Sequence, residues 1–157
     1  AFEWATTPEE RTRLWTARHN SYFAAVQSRP GCKVISTDTC VPISRLADCL
    51  LDSVKEADDS GIPYLLVGNV GDGNSHFGYL LDPNLPRERE VAEELNHKLV
   101  SRALSLEGTC TGEHGVGLHK MDFLVTEAGA GAVDMMRTIK RALDPKNIMN
   151  PGKIFAI

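Results

Sequence analysis

A chain of 157 residues, 42% hydrophobic and 24% charged, is long enough for one domain with a sizeable core and too apolar to stay disordered. Its formal charge of −4 argues against nucleic acid as a partner, because phosphate binding wants a basic surface. No apolar run approaches the ~18 residues that span a bilayer, and the opening Ala1-Phe2-Glu3-Trp4 leads us to expect a piece of a larger protein.

Thr7-Pro8-Glu9-Glu10 predicts a helix start, with Thr7 capping, Pro8 in the first turn and Glu10 completing a capping box. A stripe of Leu14, Tyr22, Ala25 and Val26 follows, with Trp15 and Ala17 beside it and Arg18 upon it. Arg29-Pro30-Gly31 ends that helix. Lys33–Val41 reads as a strand. A second helix is capped by Ser44, uses Leu46, Cys49, Leu50 and Val54 as its face, and ends at Gly61. Tyr64–Val67 reads as a buried strand, and a glycine-rich run joins it in hairpin fashion to a strand over His76–Leu81. The longest helix is expected from about Arg87 to Leu106, on a face of Val91, Leu95, Leu99, Ala103 and Leu106. Lys120–Glu127 and Ala132–Leu143 are helical, broken at Gly129-Ala130-Gly131, before a turn-rich tail. This order predicts an α+β fold: a small antiparallel sheet with helices packed on one face, a ferredoxin-like element and C-terminal helices, all in one domain over residues 1–157.

Two glycine-framed segments carry the chemistry. The first is Gly68-Asn69-Val70-Gly71-Asp72-Gly73-Asn74-Ser75-His76, and the second is Gly112-Glu113-His114-Gly115. His76 and Glu113, with Asn69 or Asp72, have the donor types of a divalent metal site with an open position. The plain alternative is that they make ordinary loop hydrogen bonds. Neither the P-loop nor the dinucleotide fingerprint fits the glycine run. Arg18 and Arg45 can grip a carboxylate through the guanidinium fork, or be solvated. Arg137, Lys140 and Arg141 read as a solvated helix face. His97 reads as a surface residue of the long helix. Cys32, Cys40, Cys49 and Cys110 show no zinc or redox spacing and point to a reducing compartment. Cys110, near Glu113, reads as a packing thiol before a nucleophile.

Gly71-Asp72-Gly73-Asn74-Ser75-His76, Gly112-Glu113-His114-Gly115-Val116-Gly117 and the tail from Asp144-Pro145 to Asn150-Pro151-Gly152-Lys153 stand in order at matching intervals. Together they resemble the C-terminal domain of FAD-linked oxidases of the vanillyl-alcohol oxidase class, and more closely the cytochrome-dependent D-lactate (D-2-hydroxyacid) dehydrogenase branch. Leu14–Asn20 and Asp38–Leu46 point the same way. The resemblance implies a separate FAD-binding domain of the same protein, with this domain as the cap that forms the substrate site. It implies Asn69, His76 and Glu113 as ligands of a divalent metal, Zn or Mn. It implies His114 as the base, Arg18 as the carboxylate anchor, and Asn74 lining the substrate and flavin pocket. Asn150 and Lys153 belong to the segment that returns to the flavin. Asn69 departs from the pattern, which has histidine there, and an amide oxygen is a poorer ligand than imidazole. Ser75 replaces a bulky residue.

The implied reaction oxidises a D-2-hydroxy acid, D-lactate foremost, by hydride transfer to FAD, with an acceptor such as cytochrome c. The chain by itself is expected to be inactive. A homodimer is compatible with the branch, and its members are mitochondrial in eukaryotes and cytoplasmic or membrane-associated in bacteria. Two other readings compete: a non-catalytic metal- or small-molecule-binding module, and a metal-dependent hydrolase using His76, Glu113 and His114.

Overall fold

The structure, a computed structural model, describes residues 4–157. Ala1-Phe2-Glu3, on which the expectation of a fragment partly rests, lie outside the described residues. Helix α1 spans Pro8–Ser28 and opens with the expected capping box: Glu10 N–H donates to Thr7 Oγ1 at 3.2 Å, and Thr7 N–H to Glu10 Oε2 at 3.0 Å. Strands β1 (Lys33–Ser36) and β2 (Thr39–Cys40) follow. A 3₁₀ turn over Ile43–Arg45 leads into α2, Leu46–Ser60, which Gly61 ends at φ 71°. The hairpin β3 (Tyr64–Asn69) and β4 (Asn74–Leu81) is followed by α3, Pro86–Ser105. Two shorter helices, α4 (Met121–Ala128) and α5 (Ala130–Leu143), precede the tail.

Strand β4 is the middle of the sheet, and all eight of its residues are buried. It pairs antiparallel with β3 on one side and with β1 and β2 on the other. The strand expected over Lys33–Val41 is broken into β1 and β2, yet its register is continuous: Ser36 lies opposite Gly78 and Thr39 opposite Ser75. What fails between them is the ladder. Thr37 N–H still donates to Phe77 O at 2.8 Å, but Phe77 N–H is taken by the Thr37 hydroxyl, also at 2.8 Å. The order β1-α2-β3-β4-α3 is the split β-α-β arrangement of a ferredoxin-like element. An isolated bridge, Cys40 with Thr109, occupies the place of a further strand.

Alternation along β4 separates two environments. Phe77, Tyr79 and Leu81 face α2 and α3 and form the core with Cys49, Ala57, Leu95 and Leu99. Asn74, His76, Gly78 and Leu80 point to the opposite face, which α1 borders. Helix α1 itself buries no residue. Leu14, Ala25 and Val26 are half-buried, while Trp15 and Tyr22 are each 51% exposed, so the apolar stripe read from the sequence is only partly covered.

Smaller corrections follow from local geometry. Ser44 does not cap α2, because it lies inside the 3₁₀ turn and the helix is entered through Arg45 without a side-chain cap. Strand β4 starts two residues earlier than expected, at Asn74. The break between α4 and α5 is Gly129 alone, at φ 83°, and Ala130 and Gly131 are helical.

Candidate substrate and metal site

The site is built where the β3–β4 hairpin, the interruption between β1 and β2, and the 111–114 turn meet. Gly73, at φ 78°, closes the hairpin beneath Val41, and a Cβ there would meet Val41 O at 1.9 Å. No side chain fits, so the glycine fixes the approach of the hairpin to the β2 edge. The pleat then directs Asn74 and His76 into the site face.

His76 is buried, and its Nδ1 lies 3.0 Å from Thr37 O. A carbonyl only accepts, so Nδ1 carries the hydrogen, which leaves Nε2 to face the site. Nε2 lies 2.9 Å from Glu113 Oε1. In the neutral ring these are two facing acceptors, an arrangement that a shared proton or a cation between them would satisfy. The His114 ring stacks on His76 with centroids 5.1 Å apart and planes 15° apart, and His114 Nε2 lies 3.8 Å from Glu113 Oε1.

Asp38 is the residue that sequence reasoning left without a role. It is fully buried, and its carboxylate accepts from the backbone N–H groups of Gly112 (2.9 Å), Glu113 (3.1 Å) and His114 (2.9 Å). It also accepts from Thr111 Oγ1 at 2.8 Å, Asn74 Nδ2 at 3.0 Å and Lys120 Nζ at 3.3 Å. Burial alone would raise its pKa. The His114 N–H, the Thr111 hydroxyl, the Lys120 ammonium and the Asn74 amide outweigh that and hold the carboxyl well below the usual range. One signal for Asp38 was available: a charged residue in the middle of a β-branched run, where aspartate is disfavoured.

Ligating atoms of Asp38, His76 and His114 lie within 4.8 Å of one another. Asp38 is nevertheless saturated by donors and is a poor candidate ligand. The imidazole and carboxylate of His76 and Glu113 suit a divalent transition metal, and their facing acceptors fit a shared cation. Asn69 ends β3 opposite Asn74, on the same sheet face as His76 but exposed.

A cavity of about 230 Å³ brings together Arg18 and Tyr22 of α1 with His76, Glu113, His114 and Val67. A wider groove of about 1240 Å³ between α3 and the 114–127 segment shares only His114 with the expected site residues. The smaller cavity is therefore the better candidate for a substrate pocket. Asn74 does not line it: its amide is committed to Asp38 and to Thr39 O at 3.2 Å, and its Oδ1 is buried without a partner. Asn150 and Lys153 lie on the exposed tail, where Lys153 Nζ reaches Asn150 Oδ1 at 3.5 Å. Ile154 N–H ties that tail to Gly117 O at 2.8 Å, just beyond the site turn. Arg45 is exposed and pairs with Asp48 at 3.6 Å, away from the pocket. His97 is exposed and packs on Phe123. The Cys110 thiol is pushed up to about 12 by burial and by Glu127, which removes it as a nucleophile.

A family model, "FAD linked oxidases, C-terminal domain", matches residues 1–154. The chain belongs to that family. It is 46% identical over 156 residues to a probable mitochondrial D-lactate dehydrogenase of Danio rerio, covering 99% of this chain and 31% of the relative. It is 44% identical over 153 residues to the mitochondrial D-lactate dehydrogenase [cytochrome] of Arabidopsis thaliana, covering 98% and 27%. Against glycolate oxidase subunit GlcD of Bacillus subtilis it is 36% identical over 152 residues, covering 97% and 32%. The chain thus spans about a third or less of the length of these relatives. The fold is also that of a 4-ethylphenol oxidase from Gulosibacter chungangensis, with a TM-score of 0.63 at 20% identity, over 97% of this chain and 32% of that one.

Proposed function

We propose that this chain forms the substrate side of a flavin-dependent dehydrogenase that oxidises a D-2-hydroxy acid, D-lactate foremost, to the 2-oxo acid. The observation that carries the reading is the single cavity shared by Arg18, His76, Glu113 and His114. Arg18 holds the substrate carboxylate through its guanidinium fork. That fixes C2 and its hydroxyl toward the imidazole and carboxylate wall of the cavity. His114 takes the hydroxyl proton at Nε2 as the C2 hydrogen leaves with its electron pair and the carbonyl forms. Stacking on His76 holds the His114 ring in place. FAD, bound by a separate domain of the same protein, supplies the two-electron acceptor for that hydride. His76 and Glu113, with a weaker contribution from Asn69, would hold a Zn or Mn ion whose chemistry is to draw charge from the substrate hydroxyl oxygen.

The names of the Danio and Arabidopsis relatives support D-lactate as substrate and a mitochondrial setting. The Arabidopsis name also supports a cytochrome as electron acceptor. The glycolate oxidase relative keeps the substrate within short 2-hydroxy acids. No helix among the described residues is long and apolar enough to cross a membrane.

The test is a chimera in which this chain replaces the matching segment of the Danio relative. Arg18→Met is expected to raise KM for D-lactate by ~10-fold or more, since it removes a charge-assisted contact. An unchanged KM would remove Arg18 from the substrate pocket.

A further inference from the structure

Three things meet at Asp38. It occupies the gap between β1 and β2, where the ladder is interrupted while the register is kept. Its carboxylate is fully buried and receives three consecutive backbone N–H groups, those of Gly112, Glu113 and His114. Those three residues are themselves exposed, so no burial of the turn explains its shape. Gly112 must be glycine for this approach, because a Cβ would meet Asn74 Nδ2 at 2.0 Å and Asp38 Oδ1 at 2.8 Å.

The same gap serves His76. Thr37 O, released from the ladder, holds His76 Nδ1, while Asp38 holds the turn that carries Glu113 and His114. The interruption in the strand therefore aims both walls of the pocket at once.

We propose that Asp38 is a positioning residue: through the N–H groups of residues 112–114 it holds Glu113 against His76 and His114 upon the His76 ring. It touches neither substrate nor metal. Lys120, whose ammonium donates to Asp38 O at 2.7 Å as well as to Oδ2, keeps that carboxylate charged in a buried place. Its value to the site rests on the reading of Glu113 and His114 given above. The hold on the turn does not.

The test uses this chain and Mn²⁺ alone, an ion that its free thiols bind poorly. In the unaltered chain, the amides of Gly112, Glu113 and His114 are expected to exchange with solvent at least ~10-fold more slowly than those of an exposed turn. Asp38→Asn is expected to abolish that protection and to weaken Mn²⁺ binding by ~10- to 100-fold, the range for a group that supports a ligand. Asp38→Asn leaves the buried Lys120 without its counter-charge, with only the carbonyl of residue 38 to accept from it, and can unfold the chain. The double variant Asp38→Asn/Lys120→Met removes both charges and should keep the fold while still losing the protected amides. Glu113→Gln should weaken Mn²⁺ binding and leave the amides protected. If Glu113→Gln binds Mn²⁺ normally while Asp38→Asn frees the turn, Asp38 is a positioning residue and Glu113 is not a ligand. Unprotected amides in the unaltered chain, or protected amides with unchanged Mn²⁺ affinity in the double variant, would overturn the proposal.

Discussion

Gly73 resists replacement, because its φ is positive and a Cβ there would meet Val41 O at 1.9 Å, which leaves no room for a methyl group. Gly73→Ala is expected to cost roughly 2–4 kcal/mol, read from the shift of the urea midpoint. Asn69 is different: it is exposed, and a longer ring there meets solvent. Asn69→His is expected to tighten Mn²⁺ or Zn²⁺ binding by ~10-fold or more in titration calorimetry, with little change in stability. Equal affinities would remove position 69 from the ligand set. Asp38 also sets an acid limit. Its folded pKa lies below the unfolded value of ~3.9, so it stabilises the fold above that pH, and the contribution is lost as pH falls toward the folded value. Urea midpoints between pH 7 and pH 3 should therefore fall less steeply in Asp38→Asn/Lys120→Met than in the unaltered chain. His76, Glu113, His114 and Arg18 were legible in the sequence because they stand in glycine-framed or motif segments. Asp38 was not, because its role depends on donors from residues more than seventy positions away.

At the scale of elements, capping, periodicity and turn chemistry located α1, α2, β3 and α3 to within about two residues. These features act over a few neighbours and leave local marks. The ends that shifted were set by tertiary contacts. Strand β4 begins at Asn74 because it pairs with Asn69 and Cys40, and the strand 33–41 breaks because Thr37 and Asp38 turn their polar groups to His76 and to the 111–114 turn. The sheet stands on the core between β4 and the pair α2 and α3. Phe77→Ala, at a fully buried position stacked on Tyr79, is expected to cost ~3–5 kcal/mol and to be readable as a loss of thermal stability. Thr7→Ala should cost only ~1 kcal/mol, because the capping box it breaks is exposed and no residue of α1 is fully buried.

Across the molecule, large apolar side chains of several helices are exposed. Phe23 of α1 is 63% exposed, and Met135 and Leu143 of α5 are 61% and 78% exposed. The cavity proposed to take the substrate lies beside α1, so the helix that supplies Arg18 is also one of the under-covered ones. On the function proposed above, a hydroxy acid held there would be oriented by this chain and oxidised by a flavin held elsewhere. The measurement that bears most directly on this division is anaerobic reduction of the flavin by D-lactate in the Danio chimera, with and without His114→Ala. The expected result is rapid bleaching of the flavin by D-lactate, slowed ~100-fold or more by His114→Ala while flavin content and fold are kept. Bleaching at the same rate in both proteins would contradict the assignment of His114 as the proton acceptor and, with it, the proposed site.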